Sequence, residues 1–366
     1  MMNKLKIDKI FLTSIILLTV TGFFIFSSAS LGLLARNGAS FQSVALNQSI
    51  GLFLGIIIFI IMSKTHYIYL RKNALYILLS VIVINLLLFI PAFTQNHGGA
   101  SRWIDLGFVT FQPSEFLKIA FIIYFSAWLS GLKEKVKTFK WGILPYIIIV
   151  SIIGALLLAQ RDTDTLVVIS CTGLIMLFVA GGKIKHILSL CLMILLMLGG
   201  YIYFLPHVQQ RIITYFNNGK DSQGAGYQIK QSLIAIGSGQ TFGRGFGQSI
   251  QKFNYLPEPI GDSIFAVGAE EFGFMGSSIL VFLFLLFFIR SIKISVKSPD
   301  TFSRLITIGI AILILIESFM NISSMLGLIP LSGMPLLFVS HGGTALIITL
   351  GAVGIIANIS KYKIPD

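Results

Sequence analysis

"IFLTSIILLTVTGFFIFSSAS", Ile10 to Ser30, carries no charged residue and no proline. As a helix it is long enough to cross a hydrocarbon layer about 30 Å thick, which takes about 20 apolar residues. It lacks the strict alternation of a strand in a membrane barrel. Inside a bilayer a backbone must satisfy its own hydrogen bonds, so an unalternating run of this length is a spanning helix. The preceding "MMNKLKIDK" has the basic character of a signal-peptide start. The run exceeds a signal peptide's apolar core and more spans follow, so an uncleaved first helix is the reading taken.

The composition agrees along the whole chain. Of 366 residues, 55% are hydrophobic and 11% charged, against about 25% charged in a soluble domain. Similar runs predict about ten spans, near 10–30, 45–63, 74–93, 115–131, 142–159, 165–181, 184–205, 273–290, 303–326 and 341–360. The fold class expected is therefore an all-α polytopic membrane protein of about ten helices. It forms one transmembrane domain over 1–366, with a long loop near 206–272 between spans seven and eight. The two cysteines, Cys171 and Cys191, fall in apolar runs and imply no disulfide framework.

Charge gives the orientation. Most of the 27 basic residues lie in segments that are cytoplasmic if the N-terminus is inside, among them Lys4, Lys6, Lys9, Lys64, Arg71, Lys133 to Lys140, Lys183, Arg290 and Lys361. Arg36, Arg102, Lys118 and Arg161 are exceptions, and the long loop is discounted because long loops translocate regardless of charge. Both termini are then cytoplasmic, and the net charge of +13 is a topology signal and an attraction to anionic lipid, not a nucleic-acid footprint. Of the 14 acids, only Asp8, Glu134, Asp300 and Asp366 fall inside. Ionisable groups near lipid are expensive, so the skew of the rest marks the outer end as the place of function.

Three polar stretches gather there. In "GASRWIDLGFVTFQPSEFLKIAF", Pro113 and Glu115 mark a helix start, and Glu115 and Lys118 at i,i+3 can pair. The stretch reads either as a capped helix with a structural ion pair, or as a polar groove in which Arg102 and Lys118 meet an anionic head group. "LLLAQRDTDTLVVIS" reads as a short turn, with Asp162 and Asp164 at the surface beside Arg161. The third stretch runs through "YQIKQSLIAIGSGQTFGRGFGQSIQKFNYLPEPIGDSIFAVGAEEFG". Its first residues suit an interfacial helix. Its glycines follow no strand and so form no dinucleotide fingerprint; flexible backbone near an interfacial ligand is the expectation. Asp262 follows a proline break and reads as a helix N-cap or as a carboxylate whose desolvation suits a general base.

These motifs, with "GLIPLSGMPLLFVSHGGTALI", resemble in order the SEDS family of bacterial cell-wall proteins, which includes FtsW and RodA. The resemblance implies a peptidoglycan glycosyltransferase that polymerises lipid II on the outer face of the cytoplasmic membrane. It implies that Asp262 is the catalytic base, taking the proton of an acceptor sugar hydroxyl while undecaprenyl pyrophosphate departs with inversion. Arg102, Lys118, Arg244 and Lys252 are the candidate cations for the leaving group; Glu115, Asp162 and Glu270 are further substrate-side candidates. On an unbroken helix Glu270 falls about 80° from Asp262 and Glu271 about 180°, so Glu270 is expected to line the groove and Glu271 to hold a neighbouring element.

There are departures from the family pattern. "QRDTDT" stands where "QPDLGT" is common, so Arg161 and Asp164 replace Pro and Gly. Ile260, Gly261 and Ser263 differ around Asp262, and His341 stands where Tyr is common. "GQSIQKFNYLPEP" is closer to FtsW, the septal enzyme, than to RodA, the elongation enzyme. A lipid II flippase is the alternative class, but a transporter places polar residues near the midplane in matching halves. The resemblance further implies a class B penicillin-binding protein as partner, with other divisome or elongasome membrane proteins. No metal-ligand cluster is legible, so no dedicated cofactor is expected; a divalent cation, Mg or Mn, would be shared with the substrate pyrophosphate.

Overall fold

The computed structural model describes residues 6–35, 41–90, 94–97, 100–105, 110–204, 209, 215 and 224–362. Arg36, Asp221, Asp366 and most of the predicted loop before 224 lie outside the described residues.

The helices in chain order are α1 (Lys9–Ser30), α2 (Phe41–Lys64), α3 (Ile68–Lys72), α4 (Ala74–Leu86), α5 (Pro113–Leu132), α6 (Leu144–Ala159), α7 (Thr163–Val179), α8 (Ile184–Phe204), α9 (Ala225–Ser238), α10 (Ile264–Val296), α11 (Thr301–Met325) and α12 (Gly343–Ile359). Among the described residues, seven helical segments are long and apolar enough to cross a membrane, and α4, α7 and α8 supply three shorter apolar ones. These ten helices fall at the positions of the ten predicted apolar runs. Helix α3 is a short surface turn, and the predicted segment "YQIKQSLIAIG" forms the helix α9. A feature the periodicity did not announce is a small antiparallel sheet of β1 (Thr94–His97), β2 (Ala100–Asp105) and β3 (Thr110–Phe111), in the order β1-β2-β3.

Helix α11 is the hub. It packs against α5, α7, α9, α10 and α12, and most of its apolar window is buried in protein. Helix α2 leaves most of its surface outward and docks on α12 by small residues. A Cβ on Gly51 would stand 2.9 Å from Gly343 Cα, and one on Gly55 2.6 Å from a Leu350 methyl. Lipid competes equally for apolar side chains, so close backbone approach is what holds such helices together. At the end of the bundle away from Asp262, the Asp8 side chain caps α1 and pairs with Arg290 at 3.0 Å.

The eighth span begins earlier than its apolar run. Helix α10 starts at Ile264, not near 273, and is interrupted at Gly273, whose φ of 65° and ψ of −164° are not helical. The apolar run marks only the part below this break. Above it, residues 264–272 form a separate helical piece carrying both Glu270 and Glu271.

Candidate active site

The break in α10 leaves four backbone groups without their helical partners, and the glycine-rich loop after α9 takes all four. Phe274 and Met275 donate their N–H groups to the carbonyls of Gln240 and Thr241 at 2.8 and 3.0 Å. The carbonyls of Glu270 and Glu271 accept from the N–H groups of Arg244 and Gly245, both at 3.0 Å. This requires the two backbones nearly to touch. A Cβ on Gly243 would lie 2.1 Å from the Glu271 carbonyl oxygen, and φ there is +81°. Glycine at that position is a packing necessity, and through it the loop serves the helix break.

The two glutamates lock the same loop. Glu270 is fully buried; its carboxylate accepts from Ser249 Oγ at 2.6 Å and from the N–H groups of Ile250 and Gln251 at 3.1 and 3.2 Å, with Arg244 Nε 3.4 Å away. Glu271 accepts through Oε1 from Lys252 Nζ at 2.8 Å and Ser28 Oγ at 2.5 Å. Lys252 Nζ also donates to Ser28 Oγ and the Gly247 carbonyl, both at 2.9 Å. The structure therefore corrects two expectations. Glu270 does not line a groove, and Lys252, with no exposed surface, is not open to a leaving group. Glu271 holds a neighbouring loop and α1, the role expected of it.

Lys118 is buried as well. Its ammonium reaches Glu115 Oε1 at 2.9 Å, the expected pair, and both oxygens of Glu317 on α11 at 2.7 Å. One cation between two carboxylates is a tie between α5 and α11, and it takes Glu115 and Lys118 out of direct reach of solvent. Asp162, expected at the surface, is instead 2% exposed. It caps α7 by accepting from Thr165 N at 3.4 Å and Thr165 Oγ1 at 3.0 Å. Arg102 Nη2 donates to the Arg161 carbonyl, tying β2 to the α6–α7 turn. Arg102 and Arg244 are the predicted cations that keep solvent-facing surface.

Asp262 stands at the mouth of α10, two residues ahead of its first residue and half-buried. Its turn is clamped from three elements. Asn321 Nδ2 on α11 donates to the Asp262 carbonyl at 2.7 Å and to that of Met334 at 2.8 Å. Ser340 Oγ donates to the Gly261 carbonyl at 2.8 Å, and the His341 N–H to the Ile260 carbonyl at 2.7 Å. Gln228 of α9 donates to Ser263 Oγ at 2.9 Å. The N-cap reading fails, since Ser263 holds the cap position. His341 stacks on Phe26, and burial pushes its imidazole below the ordinary range, so it is a neutral packing residue. Gly333 and Asp164 of α7 lie close to the Asp262 carboxylate.

Sequence reasoning did not find Asn321, Gly333 or Gln228. For Asn321 a signal existed: Glu317, Asn321 and Ser324 recur at helical spacing within an apolar run. That pattern draws a polar stripe down one face of a spanning helix. Gly333 and Gln228 carry no such signal.

The cell cycle protein family model that groups FtsW, RodA and SpoVE matches residues 8–364. The chain belongs to this family. It is similar to a probable peptidoglycan glycosyltransferase FtsW of Geobacter sulfurreducens, with 39% identity covering 79% of this chain and 78% of that one. A protein of the same description from Trichlorobacter lovleyi is 34% identical, covering 96% and 93%. Stage V sporulation protein E of Bacillus subtilis is 39% identical over 76% of each chain. Among solved structures, a chain of a peptidoglycan synthase complex that coordinates polymerization and crosslinking superposes with a TM-score of 0.76 at 21% identity, covering 94% of this chain and 98% of that one. The rod shape determining protein RodA of Thermus thermophilus gives 0.67 at 21% identity, covering 95% and 97%. These two carry the fold, and the fold is that of the FtsW/RodA/SpoVE family.

Proposed function

We propose that this family member polymerises lipid II into glycan strands at the outer face of the bacterial cytoplasmic membrane, for septal wall synthesis, with Asp262 as general base. The observation that carries the reading is the clamped turn. The turn that bears this half-buried carboxylate is held at one end of the bundle through its own carbonyls, by Asn321 of α11 and by Ser340 and His341 before α12, as a base that must meet a hydroxyl in fixed geometry requires. The relatives named FtsW support both the chemistry and the septal assignment.

In the reaction, Asp262 accepts the proton of the acceptor sugar hydroxyl as that oxygen bonds to the anomeric carbon of the growing strand. The bond from this carbon to the pyrophosphate oxygen breaks, and undecaprenyl pyrophosphate leaves with the electron pair, inverting the centre. Arg102 and Arg244, the predicted cations that keep solvent-facing surface, are the candidates to steady it. Apolar grooves of about 440 and 520 Å³ flank α10, one against α1 and the other against α9 and α11, and share Phe265 and Ala269 below Asp262. They suit the polyprenyl part of such a substrate.

Among the described residues no group of three His, Cys, Asp or Glu side chains could hold a metal. A divalent cation taking part would be held chiefly by pyrophosphate oxygens, and polymerisation at full rate in chelator removes it from the scheme. The partner proposed is a class B penicillin-binding protein, which cross-links the strands, as the solved synthase complex joins polymerization to crosslinking.

The test is purified protein with its transpeptidase partner, supplied with lipid II. Asp262→Asn is expected to lose glycan strand formation by at least about 100-fold, the scale of a lost general base, with unchanged thermal stability. Equal polymer from the variant overturns the assignment. Head-group translocation without polymer favours the flippase.

A further inference from the structure

Gly333 lies beside two carboxylates. A methyl group on it would stand 3.7 Å from Oδ2 of Asp262 and 3.9 Å from Oδ2 of Asp164. The two oxygens can be no farther apart than those distances laid end to end. Oδ2 of Asp164 also accepts the Gly333 N–H at 3.3 Å, which ties the segment before α12 to the first turn of α7. Helix capping does not account for Asp164, because Asp162 fills that role. A second acid thus stands close to the proposed base, with a glycine beside the pair.

We propose that Asp164 is a positioning residue for polymerisation: its charge raises the proton affinity of Asp262, and its bond to Gly333 fixes the gap between the two carboxylates. The inference rests on Asp262 being the base. Neighbouring carboxylates each disfavour ionisation of the other, and a carboxylate that holds its proton more tightly is the stronger base toward a sugar hydroxyl.

Other groups around the turn stay constant in the comparison. Glu258 lies in the same turn, with Oε2 3.6 Å from the Cβ position of Gly261. His341 is a neutral imidazole before α12. On α11, Asn321 holds the turn and Glu317, one helical turn deeper, is paired with Lys118. Gln228 approaches from α9, and Arg102 meets the carbonyl of the exposed Arg161 beside Asp162. None of these changes when Asp164 becomes Asn, so the difference isolates its charge.

The experiment measures kcat/KM for lipid II against pH with the intact protein and its transpeptidase partner. In parallel, the pH midpoint of carbodiimide labelling at Asp262 is read by mass spectrometry, which needs no turnover. At this separation, effective dielectrics of about 20 to 80 place the effect at roughly half to one and a half pH units. Asp164→Asn keeps an oxygen for the Gly333 N–H. It is expected to move both the acid limb and the labelling midpoint down by that amount, with thermal stability unchanged, while Asp164→Glu restores them. An unchanged limb and midpoint overturn the inference whatever happens to the maximal rate, and if the variant is inactive the midpoint alone decides. Full polymerisation by Asp262→Asn overturns the base assignment and this inference together. A dead Asp262→Asn with an unmoved midpoint in Asp164→Asn overturns this inference only.

Discussion

The ammonium of Lys252 shows what buried charge does in this molecule. It has no exposed surface and three acceptors within 2.9 Å, so its work is to join α1, the loop and α10. Removing one member of a buried pair strands the other charge, at a cost of about 3–5 kcal/mol, whereas replacing both with apolar residues is often neutral. Lys252→Met and Glu271→Leu are each expected to lower thermal stability strongly in detergent, and the double variant to recover most of the loss. Additive losses in the double-mutant cycle would sink the structural reading of the pair. His341 gives a pH prediction of definite sign. In the unfolded chain its imidazole takes a proton near pH 6.5, while in the folded chain burial lowers that point. Below about pH 6.5 the unfolded state therefore binds more protons, so stability is full above that pH and declines as pH falls below it. His341→Phe keeps the stack on Phe26 and should flatten this acid limb in a thermal melt. A limb of unchanged slope would assign the dependence to other groups.

Among the elements, the decisive one is a helix that is not continuous. The run from Ile264 to Val296 contains one residue with non-helical backbone, Gly273, and the loop from Gln240 to Gly245 takes the place of the missing helical bonds. A Cβ on Gly273 would meet the Gly243 nitrogen at 2.3 Å and the Phe242 carbonyl carbon at 2.7 Å, contacts that backbone atoms cannot relieve without moving the loop. Gly273→Ala is expected to cost at least about 2 kcal/mol, from a positive φ and overpacking together. It should also expose the 240–252 segment to proteolysis. Protease resistance equal to the parent protein would mean that the loop does not depend on the break. Hydropathy made the lower part of α10 legible, because lipid-facing residues must be apolar. It hid residues 264–272, because a helical piece buried in protein and tied to a polar loop carries no such run. For the same reason Glu270 was misplaced. The 80° offset from Asp262 was a sound helical argument, but which face meets the groove depends on a loop whose path the sequence does not state.

For the whole molecule the legible part is large, and its limits are physical. The ten apolar segments were countable because a bilayer requires length and apolarity of each span, and α11 and α12 obey that rule although most of their surface meets protein. The convergence of Asp164, Gly333 and Asp262 was not countable, since it brings together the start of α7, the mouth of α10 and the segment before α12, and long-range packing sets it. Orientation is the remaining whole-molecule property, and the concentration of Lys and Arg at the end opposite Asp262 predicts that the Asp262 end faces outward. Cysteine accessibility tests it. Cys171 and Cys191, both half-buried, are first replaced by Ser. Single cysteines are then placed at Tyr255, 53% exposed in the segment leading to Asp262, and at Lys135, exposed in the basic turn after α5. A membrane-impermeant maleimide applied to intact cells should label Tyr255→Cys at once and Lys135→Cys only after permeabilisation. The reverse pattern would put the Asp262 end in the cytoplasm, where a strand polymerised there could not reach the wall.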